Sequence, residues 1–178
     1  EAAGGLVLKQ RGPQVPLLLP HPTRWVTRER PKIDRIAFPW LVRRFIDPMA
    51  QFHFVEAEWV TDISEELGAI PFDVEGVHYS HHGEGGEFCS VDTLLDAFAI
   101  SDPALRHLAR IVRGADTGDL QLEPQSAGLL ALSLGLSFME DDDLAQLDKG
   151  MVFYDALFAW CRHATQETHN WPARAAAS

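Results

Sequence analysis

Helix signals dominate the C-terminal half of the chain and set the strongest limit on its fold. Asp102-Pro103 is a helix start, with Asp as the N-cap and Pro at the first helical position. Pro124 opens a second helix, in which leucines between positions 129 and 136 cover every face, a pattern typical of a buried helix. A third helix is predicted from about Asp142 to Arg162, apolar on most sides. We therefore expect a helical-bundle core, with the helix after Pro124 as its most buried member.

The N-terminal half of the sequence contains shorter strand and helix patterns. Residues 24–28 and 51–56 alternate polar and apolar side chains, and residues 76–82 have the length and residue types of another strand. A helix is predicted over residues 34–46, and it either starts near Pro39 or kinks there. Helical spacing over residues 60–67 stops at Gly68. The predicted fold class is mainly α with a small two- or three-stranded β-sheet (α+β).

The charge of the chain is unevenly distributed. Its 178 residues carry a formal net charge of −11, with 46% hydrophobic and 23% charged residues, as in a globular domain with a sizeable core. Residues 1–47 hold nine basic and four acidic side chains, whereas residues 48–178 hold six and twenty-two. The acidic balance disfavours nucleic-acid binding by this chain alone. No apolar run approaches the roughly 20 residues that a membrane-spanning helix needs, so no membrane partner is expected.

The two ends of the chain are expected to lie outside the folded domain. Four prolines around a leucine run make residues 1–23 an arm or linker, followed by a domain over 24–170 and a tail over 171–178. The first residue is Glu1 rather than Met and no secretory signal pattern follows, so we expect a trimmed or processed start. The default location is the cytoplasm, with export left open.

Several familiar catalytic patterns are missing from the sequence. It contains no dinucleotide-binding glycine motif, P-loop, hydrolase elbow or zincin motif. Cys89 and Cys161 belong to no C-x-x-C or C-x-x-H pair. Both are therefore interpreted as small buried hydrophobes rather than as a disulfide or a zinc knuckle.

The densest polar group is the segment from Ser80 to Glu87, at the end of the predicted strand. Imidazole and carboxylate groups at this spacing can bind a divalent metal, because a strand end aims His81 inward while the turn returns Glu84 to the same ion. His78 and His82 have the opposite strand parity from His81, so His81 and Glu84 are the preferred ligands. The alternative is a solvated loop with no ligand.

Asp116 is the third predicted metal ligand. If the helix that starts at Pro103 continues through Gly114, Asp116 lies only about 20° around the axis from Leu105, on the buried face. If the helix ends at Gly114, the same carboxylate sits in a turn as an ordinary cap.

Arginines of the basic segment are candidates for oxyanion binding. Arg35, Arg43 and Arg44 can hold a dianion through bidentate guanidinium contacts, or they pair with the acidic remainder of the chain.

Two carboxylates are assigned supporting polar roles. Asp34 opens the predicted 34–46 helix, and Asp155 lies among apolar neighbours, so a hydrogen-bond partner such as arginine is expected for Asp155.

Six separated blocks of the sequence resemble one known family. They are residues 25–48, Pro71-Phe-Asp, Ser80-His-His-Gly-Glu, Ile111-Val-Arg-Gly-Ala-Asp-Thr, Gly128–Ser137 and Tyr154–Arg162. In this order they resemble the C-terminal domain of bacterial chromate-resistance proteins of the B type (ChrB type). The family usually has Cys where this chain has Phe38, and the segment from Glu84 to Phe88 looks longer than usual. His81, Glu84 and Asp116 all fall within matched blocks.

The resemblance implies a role in chromate resistance, with three functional hypotheses. The leading one is a protein that binds a divalent transition metal through His81, Glu84 and Asp116, and that senses an oxyanion such as chromate. The second is a metal-dependent redox enzyme that reduces chromate or removes oxidants. The third is the sensory module of a chromate-responsive transcriptional regulator. The expected partners are a metal ion or small oxyanion, and homo-oligomerisation is left open.

Overall fold

The computed structural model describes residues 21–84 and 88–167. Within them lie strands β1 (Arg24–Arg28), β2 (Gln51–Val55) and β3 (Ile70–Pro71). The α-helices are α1 (Asp34–Leu41), α2 (Val60–Leu67), α3 (Ser90–Ala97), α4 (Pro103–Thr117), α5 (Ser126–Met139) and α6 (Asp143–His163). The predicted arm over 1–23 lies outside the described residues except for its last three, and the predicted tail over 171–178 lies wholly outside them. The fold is mainly helical with a small sheet, as predicted.

The three strands form a parallel sheet in the order β2-β1-β3. Arg24 pairs with Gln51 on one side of β1, and Trp25 pairs with Ile70 on the other. Strands β1 and β2 are confirmed at nearly the predicted positions. The strand predicted over residues 76–82 is wrong, because this stretch forms turns and bends with only isolated bridges at Tyr79 and His82. The third strand is instead the two-residue β3, whose Pro71 lacks the N–H needed for a longer ladder.

Pro39 lies inside helix α1 and not at its start. The helix begins at Asp34 and runs through Pro39, and a π-helical turn over Val42–Ile46 continues it. A proline inside a helix removes one backbone hydrogen bond, and the shift to π-helical bonding follows three residues later. Helix α6 packs against α1 so closely that a Cβ on Gly150 would lie 2.7 Å from Cγ2 of Ile36.

Helix α4 runs through Gly114 to Thr117, so Asp116 is helical. It begins as predicted at Asp102, whose carboxylate accepts a hydrogen bond from the Leu105 N–H at 3.0 Å. Gly114 sits where α4 meets the start of α5, because a Cβ there would clash with the Ser126 side chain. Only the first of the two alternatives for Asp116, a position on the helix, is therefore realised.

The core lies between the sheet and helices α1, α3, α4 and α6, with an aromatic group at its centre. The ring of Phe38 stacks on Phe72 at a centroid distance of 4.3 Å and meets Trp25 edge-on at 5.3 Å. Cys89 and Cys161 are both free and buried, as predicted. In the described part of the chain, no helix is both long and apolar enough to cross a membrane.

Helix α5 differs from its prediction. We expected the most buried helix, but only one side of it packs against α4 and α6. Leu129 and Leu136 on that side are 7% exposed, whereas Phe138 and Met139 on the other are 92% and 82% exposed. The prediction failed because apolar residues on all faces of a helix indicate that the helix is buried. They do not indicate whether residues of the same chain bury it.

Candidate metal centre

The candidate site lies at the edge of the sheet where the parallel strands end. Arg28 is the last residue of β1, and Asp73 follows the end of β3 by two residues. Parallel pairing brings these ends together, so an Arg28 Nη2 atom lies 3.2 Å from Asp73 Oδ2. Ligands of open α/β sheets bind outside the carboxyl ends of neighbouring strands, where the connections diverge. This edge, between β1 and β3, is such a position.

Three carboxylates surround the imidazole of His81. Its Nε2 atom lies 3.0 Å from Asp116 Oδ2, 3.3 Å from Asp73 Oδ1 and 4.0 Å from Asp34 Oδ2. One ligand atom each from Asp34, Asp73 and His81 can be chosen so that all three lie within 4.8 Å of one another. Two carboxylate oxygens and an imidazole nitrogen form a donor set that divalent metals bind.

Asp34 is held rigidly at the first residue of α1. Its carboxylate is fully buried and accepts hydrogen bonds from the backbone N–H of Ser90 at 2.8 Å and of Val91 at 3.1 Å, and from the Ser90 hydroxyl. These donors form the N-terminus of α3, which favours a negative charge. Burial, followed by the charges of Asp116 and Asp73, nevertheless raises the pKa of Asp34 to about 8. Without a cation, a proton therefore stays on this carboxyl near neutral pH.

Asp73 has an unusual backbone conformation. Its φ of 48° lies in the left-handed region that residues other than glycine rarely adopt. The Asp73 N–H donates to the Tyr79 carbonyl at 2.7 Å, and the preceding N–H of Phe72 donates to the Val26 carbonyl at 3.0 Å. Ile33, immediately before Asp34, has a φ of 49°. Such strain persists where surrounding contacts impose it, and it concentrates at functional sites.

His81 carries one of the positive charges that compensate the cluster, alongside Arg28 and Arg35. Hydrogen bonding to Asp116, and then to Asp73, raises the pKa of His81 to about 11, against the opposing effect of burial. The imidazole is therefore an imidazolium at neutral pH, enclosed by carboxylates. Its side chain is still 33% exposed, so the cluster can be reached from solvent.

A cavity of about 440 Å³ opens beside His81. Its walls include the positively charged Arg28 and the hydroxyl-bearing Ser80, along with the acidic side of the cluster. The lining residues are Arg28, Asp73, Val74, Glu75, Gly76, Ser80 and His81. A small polar ligand has room here in direct contact with the cluster.

The structure brings two of the three predicted metal ligands together. His81 and Asp116 are in contact, and Asp34, expected only in a supporting polar role, joins them. Glu84 lies exposed in the turn and does not belong to the group of ligand atoms within 4.8 Å, so its role as a ligand stays a prediction. His82 faces α3, where its Nδ1 lies 2.9 Å from the Thr93 hydroxyl.

The three predicted oxyanion-binding arginines do not converge on one place. Arg35 borders the cluster, with its Nε 3.3 Å from Asp73 Oδ2. Arg43 instead lies 3.3 Å from Asp148. Arg44 makes a bidentate pair with Asp155, with both distances at 2.8 Å. The arginine partner expected for Asp155 is therefore Arg44, and the pair lies on a different helix interface from the cluster.

Sequence reasoning missed Asp73 and Arg28 as site residues. Asp73 falls within Pro71-Phe-Asp, one of the blocks that carried the family resemblance, and Arg28 ends a strand that the alternation predicted. Strand β3 was not predicted, because a two-residue strand that contains proline has no sequence pattern of its own. Without that strand, nothing indicated that residue 73 lies beside residue 28.

Comparisons with known proteins found a matching family model and a curated relative. The family model described as "ChrB, C-terminal domain" matches residues 25–161. Protein ChrB of Cupriavidus metallidurans is 31% identical to the chain over 137 residues, which are 76% of the chain and 40% of that relative. The chain thus spans less than half the length of this curated relative. No solved structure matches it.

Proposed function

The chain belongs to the family of ChrB C-terminal domains, and on this premise we propose that it is a chromate-resistance protein that binds a divalent transition metal. The observation that carries the metal site is the group of Asp34, Asp73 and His81, whose ligand atoms lie within 4.8 Å of one another. Asp116, 3.0 Å from His81, supplies a fourth donor at the rim.

The electrostatics of the site favour a cation. Buried carboxylates are stable only when a positive charge or a proton compensates them. In the metal-free protein the imidazolium of His81 and a proton on Asp34 fulfil this role. A divalent ion would displace both of these protons. The neutral imidazole nitrogen of His81 could then bind the ion as a ligand. The mixed oxygen and nitrogen donors suit a transition metal better than calcium or magnesium.

An oxyanion would approach through the cavity on the Arg28 side. The Arg28 side chain is 45% exposed, and its guanidinium lies against Asp73, as does that of Arg35. We therefore place Arg28 and Arg35 beside the metal as the cations that orient a dianion such as chromate, while His81 and the carboxylates hold the metal. The metal, when bound, would supply a Lewis-acidic position for an anion oxygen.

Metal content of the purified chain tests this proposal. We expect about one metal ion per chain after dialysis, measured by plasma mass spectrometry. His81→Ala and Asp73→Asn should each lose the metal on dialysis, because each removes one of the three donors that lie within 4.8 Å of one another. Glu75→Ala is the matched control, a carboxylate of the cavity wall outside this group of donors, and it should keep the metal. Wild-type protein that takes up no added metal, or an Asp73→Asn variant that retains it, contradicts the proposal.

A redox enzyme is the second candidate, and the open cavity at the cluster favours it. Both hypotheses use the same site and differ in what becomes of the anion. A chromate titration of the metal-loaded protein separates them. Saturable binding with no loss of the chromate absorbance supports a sensor. Catalytic loss of that absorbance, when a thiol reductant is supplied and only while His81 is intact, supports the enzyme.

A further inference from the structure

Helix α5 presents an outer face without a single charged or polar side chain. At 100° per residue, the exposed positions form one continuous strip on the side opposite Leu129 and Leu136. The strip consists of Ala127, Gly128, Ala131, Leu132, Leu134, Gly135, Phe138 and Met139. No Asp, Glu, Lys or Arg occurs among the 14 residues of the helix. In a chain with 23% charged residues, such a face is expected on an interior helix, not on a surface.

We infer that this face, the α5 strip, is the contact surface of a symmetric dimer of the chain. The inference is independent of the metal site, because none of Asp34, Asp73, His81 and Asp116 belongs to the strip.

The area of the α5 strip matches what a stable dimer needs. Leu132, Leu134, Phe138 and Met139 are 55%, 49%, 92% and 82% exposed, which amounts to about 550 Å² if a large apolar residue contributes about 200 Å². Val152 on α6 is 63% exposed and adds to it, as do the small residues of the strip. The total approaches about 800 Å², which is the area that each partner buries in a standard interface.

The shape of this surface suits close packing of helices. A Cβ on Gly128 or Gly135 would meet no atom within 4 Å, so both glycines face open space. A groove of about 380 Å³ runs between α5 and α6, and Leu132, Phe153 and Leu157 contribute to its walls. Small residues along the middle of the strip allow a second helix to approach, while the groove accepts larger side chains from it.

Charge favours a second copy as the occupant. The contact of a two-fold dimer brings the same surface of both copies together, and two copies of a chain with a net charge of −11 repel each other wherever like charges face. The α5 strip avoids this repulsion because it carries no charge. The acidic residues at its two ends are paired within their own chain, Glu123 with Arg110 at 2.7 Å and Glu140 with Lys149.

The mass of the chain in solution tests the inference. Sedimentation of the full 178-residue chain at 1–100 µM should give about twice the monomer mass of 19.8 kDa. The double variant Leu132→Glu/Phe138→Glu should sediment as a monomer, with its dimer affinity reduced at least about 100-fold, because four carboxylates would meet in an apolar contact. Its far-UV circular dichroism and metal content should be unchanged, since both side chains face outward. Met49→Glu, at an apolar residue that is 73% exposed outside the α5 strip, is the control that stays dimeric.

A cross-link locates the contact independently. Ala131 lies near the middle of α5, so in an antiparallel two-fold pair it faces its own copy. Oxidised Ala131→Cys should form a covalent dimer, while the buried native cysteines do not react. A monomeric wild type at 100 µM overturns the inference and assigns the strip to a different occupant. A dimer unaffected by Leu132→Glu/Phe138→Glu, or not cross-linked through Ala131→Cys, also overturns it.

Discussion

Metal binding at the sheet edge should depend steeply on pH, because two of the proposed ligands hold protons in the metal-free protein. The pKa of His81 is raised to about 11 by hydrogen bonds to Asp116 and Asp73, and that of Asp34 is raised to about 8 by burial and by the same two carboxylates. A metal binds only the deprotonated forms of both groups. Below pH 8, each metal ion must therefore displace two protons, and its affinity rises with pH.

The expected magnitude follows from the number of protons displaced. Each proton contributes a factor of about ten in affinity per pH unit below the pKa of its group. Between pH 6 and 8 both groups contribute, so the affinity should increase by about 10⁴-fold, or roughly 5.5 kcal/mol. Above pH 8 only the proton of His81 remains, and the slope should fall to about tenfold per unit.

The metal-free protein should respond to pH in the opposite direction. For both groups the pKa is higher in the folded than in the unfolded chain, so folding takes up protons. The contribution of Asp34 to stability falls as the pH rises from about 4 to 8, and that of His81 falls between about 6.5 and 11. Added metal should therefore raise the melting temperature more at pH 8 than at pH 6.

Competition against a chromophoric chelator at pH 6, 7 and 8 measures the slope, and calorimetry in buffers of different ionisation enthalpy counts the protons. Asp34→Asn is the matched variant, titrated at metal concentrations high enough to load it, because its amide oxygen is a weaker ligand that still accepts a hydrogen bond from α3 but holds no titrating proton. Its slope should fall from about two protons to about one. A wild-type affinity independent of pH, or the same slope in Asp34→Asn, would refute the assignment of Asp34 and His81 as ligands.

Four further predictions concern the supporting structure, and urea unfolding checks each of them. Phe38→Ala should cost about 3–5 kcal/mol, because Phe38 is fully buried and stacked in the aromatic centre of the core; a loss below 1 kcal/mol would contradict that packing. Arg44→Ala should cost at most about 1 kcal/mol, because its pair with Asp155 is 43% exposed on both sides. Asp155→Ala should cost more than Arg44→Ala, since it also removes the acceptor of the Trp40 indole N–H at 2.8 Å, and equal losses would argue against this second role. Gly150→Ala should destabilise by about 1–3 kcal/mol despite its better helix propensity, because its Cβ would lie 2.7 Å from a methyl group of α1; a more stable variant would show that the two helices separate easily.

Local chemistry explains which parts of the fold were predictable. Asp102-Pro103 and Gly68 set helix ends at their own positions, since an N-cap carboxylate and a left-handed glycine act on neighbouring backbone groups. Strands β1 and β2 were visible from their short runs of alternating polar and apolar residues, although Trp25, Val26 and Thr27 of β1 are all buried. The partner of Asp155 was predictable as a type of residue, although the sequence did not identify it as Arg44.

Other features depend on residues far apart in the chain. Residues 76–82 have strand-like composition, but Tyr79 packs into the aromatic core and no long ladder forms there. Asp73 became a site residue only because β3, two residues long, pairs with β1. Glu84 was predicted as a ligand because the turn after His81 could return it to the same ion, whereas no sequence pattern pointed to Asp73.

By itself, the sequence determined the fold class, most helix boundaries and the family, and it singled out His81 and Asp116 as candidates, because these follow from short-range patterns or from residue identity. Tertiary structure alone decided that Asp34 and Asp73 meet that histidine, that Arg43 and Arg44 pair elsewhere, and that the described residues leave one face of α5 uncovered. The physical reason is the same in each case. Side-chain type sets what a residue can bind, whereas the packing of strands and helices decides which partners come within reach.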